Sequence, residues 1–255
     1  MARVISADGT SIAYLRYGSG PAVILIGGGL DDGSENAPLA EELAKHFTVY
    51  NFARRGRGDS GDTQPYAVQR EIEDIAALIE EAGGIAHLFG VSSGGMFALE
   101  AAAAGLAIGR IAVYEVPYDT ADDALQRAQE YHEQLDGALV RGRRADAVGL
   151  FMRLAGSSEQ DVADAMNSPY WPGLEDLAHT LAYDAALYGP PPTARLGTIT
   201  QRTLVATGGS NAYFERAADD VAASLPNAER QVIECQGHVV DSKVMAAVLA
   251  RFFRP

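Results

Sequence analysis

Residues 85 to 101 read IAHLFGVSSGGMFALEA, in which a glycine-rich pentad separates two apolar runs. This pattern predicts a strand, a very tight turn and then a helix. At the centre of the turn, Ser92 has Gly90 and Gly94 two positions away on either side, which is the arrangement G-x-S-x-G. We expect the strand and the helix to pass too closely for a side chain at either glycine. We also expect a strained backbone at Ser92 that projects its hydroxyl clear of the sheet.

The length and composition allow a single enzyme-sized domain, and the net charge argues against several classes of partner. The chain has 255 residues, of which 47% are hydrophobic, and a net charge of −14. This charge disfavours nucleic acid and anionic membranes, because phosphate binding needs clustered Lys and Arg. The single cysteine, Cys235, allows no intramolecular disulfide, and its place in an apolar run predicts a buried, inert thiol.

The amino terminus and the distribution of apolar residues bear on location. Residues 1–6 lack the apolar core of a signal peptide. No apolar run approaches the roughly 18 residues of a transmembrane helix. We therefore expect a cytoplasmic monomer or homodimer whose partner is a small-molecule substrate, with no nucleic acid and no membrane.

Predicted strands and helices alternate along most of the chain. Fully apolar runs such as 22–26 are typical of strands buried on both faces of a parallel sheet. The predicted strands are 4–5, 12–15, 22–26, 47–51, 85–89, 110–114, 203–206 and 230–234, and the predicted helices are 39–46, 67–81, 95–104, 214–225 and 242–253. This alternation predicts an α/β fold with a doubly wound, mostly parallel sheet and helices on both faces.

Residues 117–202 interrupt the alternation. Helical spacing recurs over 123–139, 145–154 and 158–166, while 168–172 (SPYWP) and 189–192 (GPPP) act as breakers. A helical insertion in such a sheet is expected to form a cap over the carboxyl ends of the strands, where ligands bind. We therefore predict a core of residues 1–116 and 203–255 and a helical cap of residues 117–202.

Four segments in order along the chain resemble the α/β-hydrolase fold family. They are 24–29 (ILIGGG), 53–60 (ARRGRGDS), 90–94 (GVSSG) and 236–238 (QGH). They are similar to the family's oxyanion loop, its R-G-x-G-x-S turn, its nucleophile elbow and its histidine loop. The resemblance covers nearly the whole chain except the detail of the cap. It implies a doubly wound hydrolase fold, although the fold hosts many chemistries and some inactive members.

The resemblance implies Ser92 as nucleophile and His238 as its base. A frame centred on Ser93 would need glycine at position 91, which is Val91, so Ser92 is the better candidate. His238 follows a glycine in the loop after the last predicted strand, at the sheet edge of the elbow. The other histidines are each expected to be structural or solvated: His46, His87, His132 and His179.

The acid departs from the family's common position. After the strand at 203–206, where most relatives carry Asp, the chain has Asn211 and no carboxylate. Glu115 ends the strand that follows the elbow helix, which is similar to some haloalkane dehalogenases, and we predict that it orients His238. Three further carboxylates are rivals at weaker positions: Asp219, Asp220 and Asp241.

Serine at the elbow points to acyl transfer through a tetrahedral oxyanion, which needs preorganised donors. The resemblance implies the backbone N–H groups of Ser93 and Gly29 as these donors, although the family's usual His before the first loop glycine is Gly27 here. The predicted substrate contacts are Leu30, Met96, Tyr170, Trp171 and Tyr183. No metal cluster, dinucleotide fingerprint or phosphate loop is visible, so we expect no metal and no cofactor.

Three functions follow from this sequence. The first is a serine hydrolase that cleaves an ester, lactone or thioester of a small, moderately hydrophobic substrate through an acyl-enzyme. The second is an enzyme of the same fold with another reaction, such as carbon–carbon cleavage, perhydrolysis or a biosynthetic rearrangement. The third is a catalytically silent binding protein, which would be favoured if Glu115 pointed away from His238.

Overall fold

The computed structural model describes residues 1–254 and contains one eight-stranded sheet. Its strand order is β1-β2-β4-β3-β5-β6-β7-β8, in which β1 and β2 run antiparallel to their neighbours and all other pairs are parallel. The strands are β1 (Ala2–Ile5), β2 (Ser11–Gly18), β3 (Ala22–Ile26), β4 (Thr48–Phe52), β5 (Ala86–Val91), β6 (Ile108–Tyr114), β7 (Arg202–Gly209) and β8 (Ala228–Gln236). This is the predicted fold class.

Helices cover both faces of the sheet. The helices are α1 (Ala37–Leu43), α2 (Val68–Glu81), α3 (Ser93–Ala103), α4 (Ala124–Val140), α5 (Arg144–Leu154), α6 (Glu159–Met166), α7 (Trp171–Leu177), α8 (Leu181–Ala185), α9 (Thr193–Leu196), α10 (Ala212–Ser224) and α11 (Ser242–Phe253). The buried residues of α2 and α3 join one apolar cluster with the sheet, and those of α1 and α11 join a second. Two apolar layers of this kind are what a doubly wound sheet requires.

Helices α4 to α9 lie between β6 and β7, and we call residues 117–202 the helical insertion. Ten buried residues of α4 to α8 and the adjoining 3₁₀ turn, Tyr131 and Leu135 among them, form a third apolar cluster of their own. Helices α7, α8 and α9 and the 3₁₀ turn Ala178–Thr180 were not predicted. The supposed breaker at 168–172 is instead the start of α7, because Pro172 occupies its first turn, where a missing N–H costs nothing.

One local expectation is wrong. Cys235 lies in β8 as predicted, but the residue has a φ of 63° and its thiol is exposed rather than buried. Strand β8 is the edge strand of the sheet, so its outer positions lack a neighbour to cover them.

The parallel strands place chemistry-bearing residues at one edge. Strand β5 ends at Val91 and its neighbour β6 at Tyr114, so Ser92 and Glu115 follow adjacent strands. The Ser92 N–H donates to the Tyr114 carbonyl at 2.9 Å, and the Glu115 N–H donates to the Ala206 carbonyl at 3.0 Å. These bonds extend the sheet by one residue at each position. Within residues 1–254, no helix has the length and apolar character needed to cross a membrane.

Candidate active site

The turn between β5 and α3 has the tight geometry that its glycines predict. Ser92 has φ 54° and ψ −129°, a conformation that side-chain-bearing residues rarely adopt. A Cβ at Gly90 would lie 2.4 Å from the Gly94 carbonyl oxygen, and a Cβ at Gly94 would lie 2.2 Å from that of Ile26. Only glycine fits at either position, and the strand and helix therefore hold Ser92 at the apex.

The structure brings Glu115 and His238 together. The Nδ1 of His238 lies 2.7 Å from Glu115 Oε2, and Glu115 Oε1 accepts the Gly208 N–H at 3.0 Å. The carboxyl is 2% exposed, whereas the imidazole is 45% exposed. A carboxylate so placed fixes the ring and its tautomer and leaves Nε2 as the basic nitrogen.

Two further contacts restrain His238. Its imidazole stacks on Phe214, with ring centroids 4.8 Å apart and planes 8° from parallel. The Tyr114 hydroxyl donates to the Gly237 carbonyl at 2.6 Å, which ties the histidine loop to the end of β6. His238 is thus restrained by Glu115 at Nδ1, by Phe214 against the face of its ring and by Tyr114 at the backbone of the preceding residue.

Asn211 and two of the three rival carboxylates have other partners, and the Asp220 side chain is exposed on α10. Asn211 and Asp241 are N-caps: their side chains accept backbone N–H groups in the first turns of α10 and α11, respectively. Asp219 pairs with Arg230 at 2.9 Å. Within residues 1–254, Glu115 is the carboxylate hydrogen-bonded to His238.

The hydroxyl of Ser92 and the imidazole of His238 both line one cavity, and no hydrogen bond joins them in the described structure. Such bonds commonly tighten only when substrate binds.

The glycine loop after β3 packs directly on Ser92. A Cβ at Gly28 would lie 3.2 Å from Ser92 Cβ and 3.8 Å from its Oγ. The Gly29 N–H and the Ser93 N–H, the first of α3, donate to no protein acceptor within residues 1–254. The first N–H groups of a helix lack intrahelical partners, and Gly29 lies in a turn outside any helix or strand, so both N–H groups remain available to a ligand.

Asp31 explains the departure at Gly27. A Cβ at Gly27 would lie 2.0 Å from Asp31 Oδ2, so this carboxylate fills the space that a side chain there would need. Asp31 is buried and its Oδ1 accepts the N–H groups of Gly33 at 2.8 Å and Glu35 at 3.2 Å. Burial raises the pKa of Asp31 in spite of these bonds.

A cavity of 660 Å³ opens beside Ser92. Its walls include Leu39, Phe89, Tyr131, Phe151, Leu154, Tyr188, Tyr213, Phe214 and Val239. The acidic and basic side chains in the wall besides His238 are those of Glu35, Asp119 and Arg127, and the last two form an ion pair at 2.5 Å. Burial, followed by the charge of Asp31, raises the pKa of Glu35. The cavity is therefore mainly apolar, and its charged groups carry at most one net negative charge.

None of the five predicted substrate contacts lines this cavity. Met96 is fully buried in the sheet core, and Trp171 is buried in the core of the insertion. Tyr183 donates to Asp62 at 2.7 Å and stacks on Tyr66. Tyr170 is 62% exposed, and Leu30 packs on the insertion's cluster. The structure does not place these five residues at the cavity beside Ser92, because aromatic content does not tell which side of a helix faces the cavity.

The cavity wall follows a pattern that the sequence does contain. Ala124, Ala128 and Tyr131 recur at helical spacing on α4, and all three line the cavity. Phe214 lies in the first turn of α10, directly after the loop that follows β7, where most proteins of the resembled family carry Asp. Helical spacing groups the three α4 residues on one face, but it does not tell that this face turns toward the cavity.

Beneath the glycine loop, the turn at 53–60 contains three buried arginines. Arg54 makes a bidentate pair with Glu71 at 2.6 and 2.7 Å, and Arg55 does the same with Asp74 at 2.8 and 2.7 Å. Asp184 of the insertion accepts from Arg54 at 2.8 Å and from Arg57 at 2.7 Å.

Asp184 therefore joins the insertion to the core through buried charges. Burial opposes its ionisation, but the two guanidinium groups outweigh burial and hold the pKa of Asp184 below its ordinary value. The basic turn serves structure rather than an external anion, as its place in the family motif predicts.

Comparisons with known proteins agree with this architecture. The model of the alpha/beta hydrolase family matches residues 23–250. A crystal structure of an alpha/beta hydrolase from Sphaerobacter thermophilus is 48% identical, covers 99% of this chain and 100% of its own, and superposes with a TM-score of 0.89. The enol-lactonase from Burkholderia xenovorans shares the fold at 20% identity, with 98% and 99% coverage and a TM-score of 0.68.

Similarity to proteins of named activity is partial. N-formylmaleamate deformylase from Pseudomonas putida is 38% identical over 40% of this chain and 39% of its own length. Other curated relatives are matched over 33% and 37% of their lengths. The match of the family model across most of the chain, together with the elbow and its sheet, shows that this protein belongs to the alpha/beta hydrolase family.

Proposed function

We propose that this protein is a serine hydrolase that cleaves an ester, lactone or thioester of a small, moderately hydrophobic substrate. The observation that carries the proposal is the 2.7 Å contact between Glu115 and His238 at the edge where Ser92 projects into the cavity. A silent binding protein would not need a buried carboxylate aimed at a half-exposed imidazole.

In the proposed reaction, His238 takes the proton of Ser92 as Oγ forms a bond to the substrate carbonyl carbon. The electron pair of the carbonyl π bond moves to oxygen, and the N–H groups of Gly29 and Ser93 receive the resulting oxyanion. The oxyanion then collapses and breaks the bond to the alcohol or thiol, which leaves with the proton from His238. Water, activated by the same imidazole, attacks the acyl-enzyme and releases the acid and free Ser92.

The cavity supports the substrate class. Its volume of 660 Å³ suits a small organic ligand, and its apolar wall favours a hydrophobic acyl or alcohol group. The Asp119–Arg127 pair is internally neutralised, which leaves Glu35 as the remaining charge. We therefore expect neutral substrates to be preferred over substrates that carry a carboxylate.

The test is hydrolysis of short p-nitrophenyl esters together with labelling by a fluorophosphonate probe. Ser92→Ala should lower kcat/KM by at least ~10³-fold and abolish labelling, because the hydroxyl forms the covalent intermediate. Ser93→Ala removes the neighbouring hydroxyl and keeps the backbone N–H, so it should cost less than ~10-fold. Near-full activity in Ser92→Ala, or a wild-type protein that the probe does not label, would contradict the proposal.

A further inference from the structure

The peptide between Gly28 and Gly29 is held from behind by a buried arginine. The Nη1 of Arg57 donates to the Gly28 carbonyl at 2.5 Å. This peptide is trans, since the cis bond in the described residues is Gln64–Pro65. In a planar trans peptide the C=O and the following N–H point in opposite directions, so the arginine that binds the carbonyl also sets the direction of the Gly29 N–H.

From this geometry, and resting on the proposed function, we infer that Arg57 is a positioning residue that aims the Gly29 N–H at the oxyanion, and that Asp184 of the insertion holds Arg57 for that task. The oxyanion site would then depend on a contact that the insertion supplies.

Arg57 has few ways to move. The residue is 1% exposed, and the hydrogen bonds of its side chain within residues 1–254 are those to the Gly28 carbonyl and to Asp184 Oδ2, the latter at 2.7 Å from Nη2. Its Nε has no partner there. A guanidinium is a rigid planar fork, so a carboxylate that fixes one prong fixes the direction of the other.

Asp184 is itself fixed from two sides. Its side chain is fully buried, and its Oδ1 accepts from Arg54 Nη1 at 2.8 Å. The pKa of Asp184 lies below its ordinary value because Arg54 and Arg57 outweigh the effect of burial, so the ion pair persists at neutral pH. The carboxylate is thus a fixed anchor for the fork.

The peptide between Gly28 and Gly29 has little space in which to rotate. A Cβ at Gly29 would lie 2.9 Å from the Phe151 ring and 3.5 Å from Asp184 Oδ2, while Gly28 packs on Ser92. The two glycines are therefore enclosed between the nucleophile and the insertion. A small rotation of their shared peptide would turn the Gly29 N–H away from the reacting carbonyl, and losing one such donor costs about 10²–10³ in kcat.

Arg55 provides a matched control in the same turn. It is equally buried, at 0% exposure, and it makes a bidentate pair with Asp74 and a second pair with Asp8 at 2.9 Å. Unlike Arg57, it makes no hydrogen bond to the glycine loop in the described structure. An effect that comes only from weakening the buried charge network should therefore follow from substitution of either arginine. An effect on the geometry of the oxyanion site should follow from substitution of Arg57 alone.

The experiment compares Arg57→Lys with Arg55→Lys. Lysine keeps the charge but lacks the fork, so it cannot reproduce both contacts in one plane. For each variant, Tm, kcat and KM are measured on a p-nitrophenyl ester and on its thionoester. Sulfur accepts hydrogen bonds weakly, so the ratio of the two kcat/KM values reports how well the donors receive the oxyanion.

We expect Arg57→Lys to lower kcat on the ester by ~10–100-fold with little change in KM, and to shrink the ester-to-thionoester ratio at least ~5-fold. Arg55→Lys should lower Tm comparably and leave kcat and the ratio within ~2-fold. If Arg57→Lys fails to fold, Asp184→Asn, which keeps the shape of the anchor and removes its charge, should shrink the ratio in the same direction.

An unchanged ratio in a folded Arg57→Lys, or in Asp184→Asn where that variant replaces it, would overturn the inference. So would an equal change of the ratio in Arg55→Lys. Fluorophosphonate labelling of the wild type separates a failure of the role of Arg57 from a failure of the proposed function. If the wild type is labelled and hydrolyses the ester, an unchanged ratio refutes only the role of Arg57. If it does neither, the proposed function fails and the inference fails with it.

Discussion

Two histidines at opposite ends of the sheet lie against phenylalanine rings in nearly the same way. His87 at the amino end of β5 stacks on Phe253, and His238 beyond the carboxyl end of β8 stacks on Phe214. Both pairs of ring centroids are 4.8 Å apart, and the planes are 11° and 8° from parallel. The stack therefore cannot be what distinguishes a structural imidazole from a candidate base.

The edge of each ring makes the difference. Nδ1 of His87 is buried without a hydrogen-bond partner in the described residues, and burial, with the nearby charge of Arg110, lowers its pKa to about 4. Nδ1 of His238 meets the Glu115 carboxylate. The ring of His87 is therefore held neutral and has no partner at Nδ1 in the described residues. The ring of His238 has a carboxylate that can stabilise its imidazolium when the ring accepts a proton.

Removing the charge at Glu115 should have the largest effect. Glu115→Gln keeps the shape of the side chain but loses the carboxylate that stabilises the imidazolium, and its amide can favour the wrong tautomer. We expect kcat on p-nitrophenyl butyrate to fall by ~10²–10⁴-fold. Asp241→Asn is the control, since that carboxylate caps α11 and makes no hydrogen bond to His238 in the described residues. A Glu115→Gln variant with more than a tenth of wild-type turnover would contradict the proposed role of Glu115 as the acid that orients His238.

Shortening the two stacked phenylalanines should separate activity from stability. Phe214→Leu takes away the flat surface that confines a half-exposed imidazole, so we expect kcat to fall ~3–10-fold with little change in Tm. Phe253→Leu changes a core residue that is 2% exposed, and should lower Tm by ~2–4 °C, about 1 kcal/mol, without changing kcat. Kinetic constants and melting curves of both variants provide the check. Equal kinetic effects would mean that neither stack is specific to the site.

The sheet and the turn at Ser92 could be predicted from the sequence, because both depend on local rules. Apolar runs of four to eight residues between breakers define buried strands, and glycine is required wherever a Cβ would meet backbone at 2.2–2.4 Å, as at Gly90 and Gly94. The contact between Glu115 and His238 was also predictable, since both follow strands that end at the same edge.

The lining of the cavity could not be predicted in the same way. It depends on which face each helix of the insertion turns inward, and that is decided by packing between helices rather than by composition. Tyr183 and Tyr131 both lie on helices of the insertion, yet one is held by Asp62 outside the cavity and the other lines it. The partners of Arg54 and Arg57 were equally hidden, because Asp184 lies about 130 residues away in an insertion whose short helices carry little pattern.

The smallest expected effect concerns His87 and the pH dependence of stability. Its pKa is about 4 in the folded protein and 6.5 ordinarily, so above pH 6.5 both folded and unfolded chains hold it neutral and its contribution is complete. As pH falls from 6.5 towards 4, the unfolded chain binds the proton first, and the free energy of unfolding decreases. Because the ring is only partly buried, we expect the free energy of unfolding to fall by about 1 kcal/mol between pH 7 and pH 5.

In His87→Gln the loss over this interval should be smaller by that amount, some 2–4 °C in Tm, while the carboxylates titrate equally in both proteins. Thermal melts of the two proteins at pH 7, 6 and 5 measure the difference. Parallel Tm curves would show that His87 takes up its proton as readily in the folded as in the unfolded chain, and the contrast between the two stacked histidines would then reduce to the presence of Glu115.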